Sequence, residues 1–454
     1  AKMIPYVKIA TRNLAAHRTR TFLMGGAITI IAILLVTLTS LTAGIEYALL
    51  NTGTSLMSGH INIAGFYKIS QTTATPTVTR YQSLLELARK DVPEARAIVH
   101  RQKAYGKIIS DETSITVPVW GIDFESEKGI IGHLPLAPQL AYVFDFKGAP
   151  DEVEAAADFS RISRPGSIAI FATHAKKLKV RVGDSVTLSM PTFRNVNNTR
   201  DVRIAAVLRD LGMMSSFTIF ANAQDIREIY QMAADATGQI MVFLKDPALV
   251  PEVEARLRKS ITAQGLRVMD KDPQPYWMKF DRVAGESWTG QKIDVTTWQD
   301  ETSFVKWILD ILKTLTGIFI FILLAIVVLG LVNTLWMAIR ERTSEVGTLR
   351  AIGLQSRQVV GMFFLESVIL TACATGLGLI LGSALAVTLN AGAIPIRSDA
   401  FQMFLMASEL TLKVRGTDLL FGFGLIVVSL SLGSLLPAYR AGKLKPLTAV
   451  NQGE

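Results

Sequence analysis

The sequence contains a single cysteine, Cys373, and five histidines in 454 residues. One thiol excludes a disulfide scaffold and any cysteine-based metal centre, since both need several. His60, His100, His133 and His174 stand far apart, and none has a histidine or carboxylate at a ligand spacing such as HExxH. They read as surface or internally satisfied side chains. No GxSxG elbow is present, so serine hydrolase chemistry has no support. A phosphate-binding loop is missing as well: Gly106-Lys107 is followed by Ile108 and Gly442-Lys443 by Leu444, where Ser or Thr would be required. Charge is scarce, at 19% of residues against 50% hydrophobic, below the roughly 25% of an average soluble domain. That much apolar surface excludes uniform disorder.

Long apolar runs are abundant. Phe22 to Ile45 contains no charged residue. At about 1.5 Å per residue this is enough helix to cross a hydrocarbon core of about 30 Å. Similar runs extend from Leu315 to Ile339, from Val359 to Ile394 (interrupted only by Glu366), and from Leu419 to Tyr439. Four such runs, three of them in the last third of the chain, read as four transmembrane helices and not as buried core helices. The first exceeds the usual signal-peptide core of about 7–15 residues and is closed by no small-residue cleavage site, so an uncleaved anchor is expected.

The net charge of +9 could mark a nucleic-acid binder or a membrane protein with basic cytoplasmic loops. Its location decides. The N-terminal segment, the loop after the second run and the C-terminal tail hold 12 basic residues, opposed only by Glu341, Glu345 and Glu454. Those three pieces are expected in the cytoplasm. Asn51 to Asp300 holds 30 basic and 28 acidic residues, close to neutral, which disfavours nucleic-acid binding. That segment is expected outside, as a folded domain of about 250 residues. Apolar stretches of strand length begin at His60, Ser114, Ser167, Ser185, Val202 and Gln239. Helical spacing over Leu84–Ala88, Ala223–Met232 and Val250–Ile261 alternates with them, which predicts a mixed α/β domain. Asp123, Glu125 and Glu127 read as a solvated acidic loop, and Lys176 to Arg181 as an exposed helix end or a surface for acidic partners.

The loop from Arg340 is the most informative stretch. Thr343 is placed as an N-cap, Glu345 in the first turn and Gly353 as the C-terminal stop of a short helix. Val346, Leu349 and Ile352 share one stripe, while charged and small residues off it offer a docking surface. Asp310 and Lys313 read as a local helix pair. Glu366 reads as a structurally paired carboxylate, and Gly378 and Gly382 form a GxxxG suited to dimerisation or helix packing.

Glu345-Val346-Gly347-Thr348-Leu349-Arg350-Ala351-Ile352-Gly353, followed by Glu366, resembles the signature of FtsX-like, MacB-like ABC transporter permeases (type VII). Arg12-Asn13-Leu14 with Arg18, Arg20 and Thr21 resembles the family's lead-in helix. Pro437-Ala438-Tyr439-Arg440-Ala441 with Pro446 resembles its exit from the fourth span. Leu178 to Asp184 resembles a turn of the MacB-like periplasmic core, and Thr297-Trp298 resembles lipoprotein-releasing members in particular.

The resemblance implies a layout of a cytoplasmic amphipathic helix (1–20), first span (21–50), extracytoplasmic α/β domain (51–303), second span with outer stalk (304–340) and coupling-helix loop (341–358). It continues with the third span (359–394), outer connection (395–418), fourth span (419–440) and cytoplasmic tail (441–454). The fold class is thus an α-helical membrane domain of four transmembrane helices with a large mixed α/β MacB-like periplasmic core inserted between the first and second. It further implies that two permease chains, identical or paralogous, pair in a bacterial inner membrane with both termini cytoplasmic. Two copies of a separate cytoplasmic ABC ATPase, which carry the ATP and Mg, would grip Glu345, Val346, Gly347, Leu349, Arg350, Ala351 and Gly353. The chain itself would bind no cofactor or metal and catalyse nothing. The expected activity is lipoprotein extraction by mechanotransmission, with a periplasmic carrier or adaptor as a further partner. MacB-like export of peptides or amphiphiles and FtsX-like activation of a cell-wall hydrolase stand as alternatives.

Overall fold

The structure, a computed structural model, describes residues 11–443 other than 17, 72–73, 133, 139–140, 143–157, 193–195, 213, 352, 393, 397, 399–400 and 402–408; at Arg20, Val305, Ser344, Glu345 and Leu349 it describes the backbone alone. His133, residues 402–406 of the apolar stretch that begins at Phe401, residues 1–10 and the tail beyond residue 443 therefore lie outside the described residues. The chain divides into two compact units.

The first unit contains long helices. Arg18–Gly53, Ser303–Glu341, Ser356–Ala391 and Gly416–Gly442 include four segments long and apolar enough to cross a membrane. Their shared interior is built from Ile28, Ala32, Leu35, Leu324, Leu331, Ala374, Ile426 and Leu430. Phe321, Leu329, Leu420 and Phe421 remain exposed on the outer faces, as a hydrocarbon solvent permits and water does not. The pairing expected between Asp310 and Lys313 is not the one formed. Lys313 Nζ lies 3.3 Å from Glu46 Oε1, and Arg415 Nη1 lies 2.9 Å from Glu46 Oε2. The carboxylate on the neighbouring helix binds two cations that are remote from it in sequence.

The second unit is a mixed α/β domain. Its strands are β1 (Ile61–Lys68), β2 (Ala74–Thr75), β3 (Ala95–Ile109), β4 (Ser114–Ile122), β5 (Ser167–Phe171), β6 (Ser185–Pro191), β7 (Asn197–Leu208), β8 (Ile219–Asn222), β9 (Gln239–Leu244), β10 (Arg267–Val268) and β11 (Gly290–Thr297). The order is β10-β11-β1-β9-β3-β4-β8-β5-β7-β6, and β6 pairs again with β3. The 15-residue β3 therefore belongs to two structures. Its first half pairs with β9, while its second half pairs with β4 and β6 and closes a ring of six strands. The ring encloses Ile108, Val119, Ile168, Leu188, Ile204 and Ile219, and Leu178 and Ile226 cap it from helices Ala172–Leu178 and Ala223–Tyr230. The open part of the sheet packs Ile61, Val242 and Val295 against Leu84 and Leu257 of helices Tyr81–Asp91 and Val250–Ala263.

The alternating stretches expected from sequence become β1, β4, β5, β6, β7 and β9. The five further strands, β2, β3, β8, β10 and β11, carry no such pattern. In β3, Arg96, Arg101, Lys103 and Lys107 interrupt the apolar residues, while β2, β8 and β10 are short and β11 is largely polar.

Candidate functional site

The loop between the second and third long helices holds the signature residues. The helix Thr343–Ala351 is nearly continuous with the one before it, because Arg342 N donates to Ala338 O at 3.2 Å and Val346 N to Arg342 O at 2.9 Å. Thr343 is not an N-cap: its hydroxyl donates backwards to the Ile339 carbonyl at 3.0 Å. Gly353 ends the helix with φ +111°, a left-handed conformation that a Cβ would strain. Val346 is buried with Ile339, Val359, Met362, Phe363, Ala438 and Ala441. Gly347 is buried as well, Arg350 is half-buried, and Thr348, Ala351 and Gly353 are exposed. Val346 and Gly347 thus hold the helix to the bundle, and Thr348, Ala351 and Gly353 form its exposed face. Of Glu345 and Leu349 only the backbone is described, and Ile352 lies outside the described residues.

Beside this helix Arg342 Nη1 lies 3.6 Å from Glu366 Oε2, and both side chains are buried. Sequence reasoning expected a pairing for Glu366 without identifying the partner. A charge this far from water is retained where a specific partner offsets its desolvation. Gly378 and Gly382 face the first long helix of the same chain. A Cβ at Gly378 would stand 2.5 Å from Ala32 Cβ and 2.6 Å from Thr29 O, and one at Gly382 would stand 3.0 Å from Val36 Cβ. The GxxxG is therefore a packing seam within the chain.

In the α/β domain, the first long helix runs on as a π-helical turn, Thr54–Ser58, before β1. Arg101 of β3 grips that turn. Its Nη1 and Nη2 donate to Leu56 O at 2.6 Å and Ser55 O at 2.9 Å, and its guanidinium forms a bidentate pair with Glu127, closest at 2.6 Å. Both side chains are fully buried. Glu127 is thus no part of a solvated acidic loop. The other crossing is tied down similarly. Thr297 N donates to Asp300 Oδ2 at 2.8 Å in a capping box, and Glu301 Oε1 accepts from Thr296 Oγ1, Tyr276 N and Asn62 Nδ2 at 2.6, 3.0 and 3.3 Å. Thr297-Trp298 thereby fixes the start of the helix that leads into Ser303–Glu341. Nothing local in sequence links Arg101 to Glu127 or Glu301 to Asn62; the sheet brings them together.

Among the described histidines, His60 and His174 are held by the backbone. His60 Nδ1 accepts from Leu244 N at 2.8 Å, and His174 Nε2 lies 3.1 Å from Ser216 O. Burial lowers the His174 pKa to about 4. The unfolded chain therefore binds a proton before the folded one does. His174 contributes fully above pH about 6.5, and this stability is lost as pH falls from there toward about 4. Thermal unfolding followed over that window is expected to show a shallower acid decline for His174→Gln than for the parent. Equal slopes would refute this assignment.

Among the described residues, no group of three or more His, Cys, Asp or Glu is arranged to hold a metal ion. Residues 21–260 match the MacB-like periplasmic core domain and residues 317–446 the FtsX-like permease C-terminal domain. The lipoprotein-releasing system transmembrane protein LolC of Haemophilus influenzae is 24% identical over 282 residues, which cover 61% of this chain and 62% of that protein. LolE of the same organism is 22% identical, covering 66% and 69%. The macrolide export ATP-binding/permease protein MacB of Nitrobacter winogradskyi is 30% identical over 138 residues, 28% of this chain and 17% of that protein. The chain thus spans less than two thirds of the length of LolC and about one sixth of that of MacB.

Proposed function

Because the chain belongs to the FtsX-like permease family and carries a MacB-like periplasmic core domain between its first and second long apolar helices, we propose that it is the membrane subunit of an ATP-driven transporter powered by a separate cytoplasmic ATPase. Two permease chains and two ATPases form the unit. The helix Thr343–Ala351 and both termini face the cytoplasm, where the 12 basic residues collect, and the α/β domain lies in the periplasm. The ATPases carry the ATP and Mg.

The observation that carries this reading is the rigid mounting of the loop helix. Val346 is buried in the bundle and Arg342 is paired to Glu366, while Thr348 and Ala351 are exposed. A push on that exposed face is transmitted to the bundle and is not absorbed locally. Helix Ser303–Glu341 follows directly on the capping box at Thr297, and helix Arg18–Gly53 runs into the turn gripped by Arg101. These are the two connections through which ATPase closure would move the periplasmic domain. Lipoprotein extraction, with handover to a periplasmic carrier, is the substrate reading supported by the longer matches to LolC and LolE; the shorter MacB match favours export of amphiphiles as the second.

Affinity capture of the full chain with the ATPase co-expressed tests the core of the proposal. Ala351→Arg and Glu345→Lys are each expected to reduce recovered ATPase at least about tenfold, the equivalent of roughly 1.4 kcal/mol, with the permease still inserted and monodisperse. Undiminished recovery with both variants would overturn it. ATP-dependent release of a lipoprotein from reconstituted vesicles then separates extraction from amphiphile export.

A further inference from the structure

The α/β domain contains a groove of about 2050 Å³, well above the roughly 300–1,000 Å³ of an ordinary small-molecule site. Aromatic and aliphatic side chains form much of its wall, and Thr116, Thr173, Lys176, Lys177, Asp210 and Asp281 also line it. Tyr105, Phe217, Trp277, Met278 and Phe280 line it and are exposed, an apolar surface that a soluble domain rarely leaves uncovered without a ligand. Three lysines line it, Lys103, Lys176 and Lys177, and of these Lys103 stands within a cage of aromatic rings. The Nζ lies 5.0, 4.7 and 5.5 Å from the ring centroids of Trp120, Tyr276 and Trp277. Among the described residues no carboxylate forms an ion pair with it and no acceptor lies within hydrogen-bond distance; Glu301 acts on it only at longer range. Asp210, also on the wall, is taken by Thr173 N and Oγ1 at 3.1 and 2.8 Å. Burial lowers the Lys103 pKa to about 8, so it is still charged at neutral pH.

We infer that this groove binds an acyl-chain amphiphile bearing a single anionic head group, with the head on Lys103 Nζ and the chain along Trp120, Trp277 and Phe304. The ammonium keeps three N–H donors that π faces stabilise electrostatically but do not accept fully. An anionic oxygen completes them with a charge-assisted hydrogen bond, and the aromatic and aliphatic part of the wall is suited to a hydrocarbon body. Phe304 adds a mechanical consequence. It belongs to the first turn of helix Ser303–Glu341 and packs edge-on against Trp277 at 6.1 Å, so an occupant of the groove touches the start of a helix that continues into a candidate membrane span. The inference deepens the proposed transport function by giving the chemistry of what the outer domain handles, and it rests on that reading only for the coupling of groove to span.

Octanoate, octan-1-ol and octyltrimethylammonium, titrated by calorimetry into the full chain in nanodiscs against empty nanodiscs, test it without ATPase or ATP. Octanoate is expected to bind the parent at least about tenfold more tightly than octanol, and Lys103→Met to remove that advantage while octanol binding persists. Lys103→Arg should retain most of it, which separates lost charge from lost fold. Trp277→Ala is expected to weaken both ligands. Vacating the cage in Lys103→Ala should let octyltrimethylammonium bind more tightly than to the parent. Equal binding of octanoate and octanol to the parent, or unchanged octanoate binding in Lys103→Met, would overturn the inference. Neither result would bear on ATPase capture, so the two proposals fail separately.

Discussion

Glu127→Ala is expected to destabilise the α/β domain by about 3–5 kcal/mol, the cost of leaving a buried charge without its partner. Arg101 is fully buried and directs its guanidinium at Glu127 on one side and at the carbonyls of Ser55 and Leu56 on the other. Two carbonyl dipoles cannot replace a carboxylate at 2.6 Å. The variant must therefore admit water to the guanidinium or release the Thr54–Ser58 turn. Hydrogen exchange on the full chain in nanodiscs is expected to localise the loss to β3 and to residues 54–58. Replacing both partners, as Arg101→Met with Glu127→Leu, removes the unpaired charge and should recover a large part of the stability. It should also leave the 54–58 turn loose, because the donors to Ser55 and Leu56 are gone. If Glu127→Ala unfolded at the same denaturant concentration as the parent, the pair would have no structural role.

Gly378→Leu is expected to separate the third long helix from the first. Even a Cβ at this position would enter contacts of 2.5 Å with Ala32 Cβ and 2.6 Å with the Thr29 carbonyl oxygen. The obstacle is backbone, which cannot rotate aside. Thr29 Oγ1 donates to Ala374 O at 3.1 Å about one turn away, so both helices are pinned where they would have to part. Overpacking at a rigid contact costs about 1–3 kcal/mol or more, and a leucine here should exceed the upper figure. Gly376 provides the internal control: it lies on the same helix with nothing within 4 Å of its Cβ position, so Gly376→Leu should be nearly silent. Thermal unfolding in detergent distinguishes the two. Matching melting temperatures for the Gly378 and Gly376 variants would refute the seam.

Much of the membrane unit is legible in the sequence. In lipid a helix satisfies its own backbone groups, so a span shows in one continuous run of residues with no knowledge of its neighbours. The loop helix is legible through Gly353, whose positive φ only glycine adopts easily. Its start is not, because two helices nearly fuse at Thr343 and leave no cap to read. The partner of Lys313 is hidden for a related reason. A neighbour at helical spacing is available in sequence, yet Glu46 from another helix is the carboxylate that reaches it.

The α/β domain divides more sharply. Alternation marks β4, β5 and β9 because each has one continuous apolar pattern. β3 stays hidden because it serves two sheets, and its buried Arg101 and caged Lys103 look, residue by residue, like a solvated strand. Sequence alone determined four spans, an inserted α/β domain, the basic loops and the signature helix, since each of these is a property of a contiguous stretch. Tertiary structure alone decided that Arg101 meets Glu127 and the 54–58 turn, that Arg342 meets Glu366, and that Trp120, Tyr276 and Trp277 surround Lys103. Those contacts join positions up to about 170 residues apart, and strand pairing and helix packing, which no local pattern encodes, bring them together.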